Sequence, residues 1–115
     1  MAKTVLLVED DSYTRKYIQL MLQDKGFDVV SCDTIFKARQ ILENIKVHFA
    51  VVDGLLPDGN GIVLAENLDC PILFCSGVAD EYNRKSMWQL GTVYPKPVDA
   101  SFNDCVDRVM KNGQR

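Results

Sequence analysis

The sequence predicts an α/β fold built on a parallel sheet. Short apolar runs alternate with helix-period segments from one end of the chain to the other. Three of the runs, Val5-Leu6-Leu7-Val8, Phe49-Ala50-Val51-Val52 and Ile72-Leu73-Phe74-Cys75, show no polar alternation, as expected of strands covered by helices on both faces. With 115 residues, 47% of them hydrophobic, the chain suits one domain over residues 1–115.

The elements follow in order. After the first run, a helix is expected to start near Ser12, bury Tyr17, Leu20 and Met21, and stop at Gly26, a residue suited to a left-handed cap. Asp28-Val29-Val30-Ser31 is shorter and more polar, which fits a strand near the sheet edge. Ala38, Ile41, Leu42 and Ile45 recur at helical spacing before the central run at residues 49–52. The segment Leu56-Pro57-Asp58-Gly59-Asn60-Gly61 has turn chemistry, its proline fixing φ and its glycines admitting positive φ. A short helix is predicted over 61–67, ended by Cys70-Pro71 ahead of the fourth strand, and another over 79–90. Thr92-Val93-Tyr94 gives a fifth, edge strand, and Phe102, Cys105, Val106, Val109 and Met110 mark the apolar face of a last helix.

The formal net charge of -3 provides no basic field for a phosphate backbone or acidic lipid, so direct nucleic-acid or membrane binding is not expected. No apolar run approaches the roughly 20 residues of a membrane span, and no secretory cleavage site follows Met1, so a cytoplasmic protein is expected. The four cysteines show no C-x-x-C spacing and are expected to be reduced core or near-core residues.

In open α/β sheets ligands bind outside the carboxyl ends of the strands. Glu9, Asp10 and Asp11 follow the first strand, Asp53 the third, Ser76 the fourth and Lys96 the fifth. Asp11 reads most simply as a helix cap. Two carboxylates about 4 Å apart repel by about 4 kcal/mol at an effective dielectric near 20, so the acidic cluster calls for a cation. The sparse set of hard oxygen ligands matches Mg²⁺ better than a Ca²⁺ cage. Zinc is disfavoured, because the single histidine, His48, lies at the start of a strand, away from the cluster. A carboxylate beside Mg²⁺ is able to attack a phosphoryl group, and Asp53 is the best-placed nucleophile. Lys96 would pair with one phosphoryl oxygen and the Ser76 hydroxyl with another.

These motifs, in this order, resemble the receiver domain of bacterial two-component response regulators, the CheY-like family, over essentially the whole chain. Val5-Leu6-Leu7-Val8-Glu9-Asp10-Asp11 is similar to the family's first strand and acidic pair, and Val51-Val52-Asp53-Gly54-Leu55-Leu56-Pro57-Asp58-Gly59-Asn60-Gly61 to its phosphoacceptor strand and loop. Ile72-Leu73-Phe74-Cys75-Ser76-Gly77 resembles the strand with the switch hydroxyl, and Pro95-Lys96-Pro97 the lysine-proline motif, which implies a cis bond before Pro97. The resemblance implies a flavodoxin-like, doubly wound five-stranded parallel sheet of order 2-1-3-4-5, with helices on both faces. It further implies phosphoryl transfer from the phosphohistidine of a sensor histidine kinase or histidine phosphotransfer protein to Asp53. Mg²⁺ would be held by Asp10, Asp53 and the Leu55 carbonyl, with Glu9 acting through water. A downstream protein target or output domain, and a homodimer through the helix-four, strand-five, helix-five face, are the associations it implies.

Two departures stand out. Between Gly91 and Lys96 the chain is about two residues shorter than the family pattern, so strand five and its preceding loop are expected to be truncated. The aromatic switch position then falls on Val93 by distance from Lys96 and on Tyr94 by residue type, with residue type preferred. Gly54 stands where a larger apolar residue is usual. Leu55 and Val78 flank the site without a group to orient water, so slow autodephosphorylation is expected, and a half-life of seconds would contradict it. Two other readings compete: a small phosphatase with an aspartyl nucleophile, against which Leu55 stands where a second acid is usual, and a phosphorylation-independent interaction module. The chain reads as a stand-alone or an excised receiver.

Overall fold

The computed structural model describes residues 2–77 and 83–113. Five parallel strands form one sheet: β1 (Thr4–Val8), β2 (Asp28–Cys32), β3 (Phe49–Asp53), β6 (Ile72–Ser76) and β7 (Thr92–Pro95). Their order is β2-β1-β3-β6-β7, which is the predicted 2-1-3-4-5 once the separate small hairpin of β4 (Leu55–Leu56) with β5 (Gly59–Asn60) is left out of the numbering. The helices are α1 (Ser12–Asp24), α2 (Ile35–Leu42), α3 (Gly61–Ala65), α4 (Arg84–Leu90) and α5 (Phe102–Gly113). Since side chains alternate across each strand, the sheet has two separate apolar layers. Leu6, Val8, Ala50, Val52 and Phe74 pack against α2, α3 and α4 on one face. Val5, Leu7, Phe49, Val51 and Leu73 pack against α1 and α5 on the other. This is the flavodoxin-like arrangement, with three helices on one side and two on the other.

Local chemistry sets the helix ends. Asp11 caps α1, accepting from the Thr14 backbone N–H at 2.8 Å, and Gly26 follows with φ of +94°. The buried stripe of α1 is Ile18, Met21 and Leu22, whereas Tyr17 and Leu20 are 44% and 49% exposed, contrary to expectation. Successive residues advance about 100° around a helix, so a stripe centred on Ile18 and Leu22 turns Leu20 to solvent. In α2, Ala38 is buried as predicted, but the helix ends at Leu42 and Ile45 is exposed, Val47 filling the core beyond it. The helix predicted over 61–67 ends at Ala65, and the start predicted for α4 near Ala79 lies outside the described residues.

Asp58 reaches out of the β4–β5 turn to accept from the Ile35 and Phe36 backbone N–H groups at 2.9 and 3.0 Å. Those two bonds hold its carboxyl below the usual carboxylate range. A depressed folded-state value stabilises the fold above the unfolded-state value and is lost as pH falls through the folded one. Asp58→Asn is therefore expected to be less stable than wild type at neutral pH, and the gap should close on acidification, as measured by urea unfolding across the carboxylate range.

A single residue, Gly91, joins α4 to β7, yet β7 pairs with β6 along its whole length, from Leu73 with Thr92 to Ser76 with Pro95. The strand has four residues, one fewer than each of the other four in the sheet, and all four are paired. A Cβ at Gly91 would lie 2.3 Å from the Ile72 carbonyl oxygen, so glycine is what allows the helix end to abut the sheet.

Candidate functional site

The carboxyl ends of β1, β3, β6 and β7 bring together Glu9, Asp53, Ser76 and Lys96, with Asp10 at the rim. Glu9 and Asp53 are 1% and 4% exposed, whereas Asp10 is exposed. One carboxylate oxygen from each of Glu9, Asp10 and Asp53 lies within 4.8 Å of the others. Lys96 Nζ stands between two of them, 2.9 Å from Glu9 Oε1 and 3.2 Å from Asp53 Oδ2. The Lys96–Pro97 peptide is cis.

Burial, with Glu9 beside it, pushes the Asp53 carboxyl up to about 8 against the pull of Lys96. Burial works against the charge on Lys96 as well, but Glu9 and Asp53 outweigh it and hold the ammonium above the ordinary lysine value. Three carboxylates with one paired lysine leave an uncompensated negative charge that a proton or a cation must offset. Glu9 Oε1 is buried and accepts no hydrogen bond from any described residue, despite its ion pair with Lys96. Hard oxygen donors in this number, with uncompensated charge, fit Mg²⁺.

The loop after β3 closes the site from one side. The Leu55 N–H faces Asp53 Oδ1 at 3.4 Å, and the Leu55 side chain is 54% exposed. Positive φ is found at Gly59 (+146°), while Gly61 serves closeness instead: a Cβ there would lie 2.2 Å from the Asp53 carbonyl oxygen and 2.7 Å from Val52 Cγ1. Val78, expected at the edge of the site, lies outside the described residues.

Tyr94 does not join the cluster. Register pairs Phe74 with Val93 and Cys75 with Tyr94, so Val93 is on the face that Ser76 shares with Phe74, and Tyr94 is on the opposite one. The Tyr94 ring stands edge-on to Phe102, with centroids 5.1 Å apart, and its hydroxyl bonds to Asp99 and Ser101. The preference for Tyr94 over Val93 is thus corrected as to position.

Two arginines were not singled out from the sequence. Arg15 Nη1 donates to the Glu9 carbonyl at 2.9 Å and steadies the turn from β1 into α1. Arg84 Nε donates to Ser76 Oγ at 3.1 Å, and its Nη2 to the Gly77 carbonyl at 2.9 Å. Spacing offered no signal for either, because each contact is created by the fold.

A doubly wound sheet of this order, with acidic side chains and a lysine at its carboxyl edge, defines a protein of the receiver class. The family described as response regulator receiver domain matches residues 5–101, and the chain belongs to it. Among curated relatives it is 26% identical over 98 residues to the phosphate regulon transcriptional regulatory protein PhoB of Pseudomonas aeruginosa, covering 79% of this chain and 43% of that protein. It is 35% identical over 82 residues to a cyclic di-GMP phosphodiesterase of Thermotoga maritima, covering 67% of this chain and 22% of that one. The chain therefore spans less than half the length of either. Among solved structures, the non-phosphorylated HemR receiver domain of Leptospira biflexa is 31% identical, with a TM-score of 0.83 and 94% of each chain covered. A CheY-like receiver domain of Methanospirillum hungatei, 21% identical, matches the fold with a TM-score of 0.88 over 99% of this chain and 98% of that one. No helix among the described residues is long and apolar enough to cross a membrane.

Proposed function

We propose that this receiver domain accepts a phosphoryl group on Asp53 from the phosphohistidine of a sensor kinase or phosphotransfer partner and acts as a switch without enzymatic turnover. The observation that carries the reading is the buried Asp53 carboxylate, 3.2 Å from Lys96 Nζ and grouped with Glu9 and Asp10. An Asp53 oxygen attacks phosphorus, the P–N bond to the partner's imidazole breaks, and the imidazole leaves with the electron pair. Lys96 moves from Asp53 to a phosphoryl oxygen, exchanging one anionic partner for another. Ser76 donates its hydroxyl proton to a second oxygen.

Asp10, Asp53 and the Leu55 carbonyl would hold Mg²⁺, with Glu9 reaching it through water. When bound, the ion offsets the charge of the incoming phosphoryl group and helps align it. The switched surface then engages a downstream protein or an output domain.

Incubation with Mg²⁺ and labelled acetyl phosphate tests the reading. Wild type is expected to take up label that base and hydroxylamine release, as they do from an acyl phosphate, and Asp53→Asn none. Equal uptake by Asp53→Asn would remove Asp53 from its role.

A further inference from the structure

We propose that Arg84 is a positioning residue that ties the state of the Ser76 hydroxyl to helix α4. The inference rests on the reading of Asp53 as phosphoacceptor and concerns how that event leaves the site. Ser76 is 1% exposed, so its hydroxyl is confined to partners within the protein. A hydroxyl offers one proton and two lone pairs. Arg84 Nε uses a lone pair at 3.1 Å, while the proton faces the Gly77 carbonyl at 3.4 Å, long for an O–H···O bond. The weakly held proton is the group that turns to a phosphoryl oxygen, and that turn leaves the Arg84 bond in place.

Arg84 also holds the Gly77 carbonyl at 2.9 Å, so one planar guanidinium grips the hydroxyl and the backbone next to it. Arg84 is the first residue of α4, and Met87, fully buried one turn later, fixes that helix in the core. A shift of Ser76 toward Asp53 is thereby passed to α4 through a hydrogen-bonded fork. The final strand is tied to the Ser76 backbone, through the Lys96 N–H that donates to the Ser76 carbonyl at 2.8 Å, but its side chains offer no second grip on the Ser76 hydroxyl. Val93, on the Ser76 face, carries no polar side-chain atom, and Tyr94 lies across the sheet with its hydroxyl bonded to Asp99 and Ser101.

Trp88 is the chain's only tryptophan and sits 58% exposed on α4, four residues after Arg84, so its emission reports this helix. The test labels wild type, Arg84→Ala, Arg84→Lys and Tyr94→Phe with Mg²⁺ and labelled acetyl phosphate, and reads the Trp88 emission change per mole of phosphoryl-Asp53, which is independent of labelling rate. Wild type and Tyr94→Phe are expected to respond. Arg84→Ala and Arg84→Lys should respond at least about fivefold less, since a lysine lacks the two-pronged grip. A full response in labelled Arg84→Ala, or no response in labelled wild type, overturns the inference alone. Absence of label on wild-type Asp53 removes the phosphoacceptor reading and this inference with it.

Discussion

Replacing Lys96 with methionine is expected to destabilise the fold in metal-free buffer by about 2 kcal/mol at alkaline pH. The value is set below the usual cost of breaking a buried ion pair because the lysine side chain is 26% exposed. The change leaves Glu9 Oε1 buried without its counter-charge and removes the only ion-pair partner that Asp53 has among the described residues. The sign of the pH dependence follows from the raised Asp53 value of about 8. A carboxyl whose folded value exceeds its unfolded one costs stability as pH rises between the two, and loss of the lysine pushes the folded value higher still. The deficit is therefore expected to widen as pH rises through about 8 and to shrink on acidification, in urea unfolding series. Mg²⁺ should bind Lys96→Met more tightly than wild type, because a competing cation has gone, and each tenfold rise in Mg²⁺ above its dissociation constant should restore about 1.4 kcal/mol. Weaker Mg²⁺ binding by the variant, measured by calorimetric titration, would show that the lysine and the metal do not share one acidic pocket.

Gly61→Ala should be costlier still, at about 3 kcal/mol, the upper part of the range for overpacking. The added methyl would meet the Asp53 carbonyl oxygen at 2.2 Å, and that oxygen belongs to β3, the strand that ends in Asp53. Relief requires either β3 or the start of α3 to shift. Gly61 N–H donates to the Gly54 carbonyl at 2.9 Å, so a shift also loosens the loop that brings Leu55 to the site. The urea midpoint should fall and label uptake at Asp53 should drop with it. A Gly61→Ala chain with an unchanged midpoint would mean that the loop relaxes at no cost.

The sheet and the acidic edge were legible for one reason. Strands buried on both faces must be apolar throughout, so Val5–Val8, Phe49–Val52 and Ile72–Cys75 announce themselves, and the first polar residue after each marks the sheet's carboxyl edge. What stayed hidden depends on angle or register. In α1, apolar side chains at Tyr17, Ile18, Leu20, Met21 and Leu22 cover most of the circumference, and only packing selects the buried third. In β7, a slip of one residue exchanges Val93 with Tyr94 between faces, and the register comes from pairing with β6, not from the strand's own composition. Arg84 was invisible for a third reason. Its partner Ser76 is eight residues away, and no helical or strand period joins them.

The single-residue link at Gly91 has a mechanical consequence. With seven residues, α4 is roughly 10 Å long, and its carboxyl end is pinned to the sheet by that link while Met87 is lodged in the interior. Met87 and Gly91 hold the later half of the helix, so the end left to answer the Ser76 coupling proposed above is the one that carries Arg84.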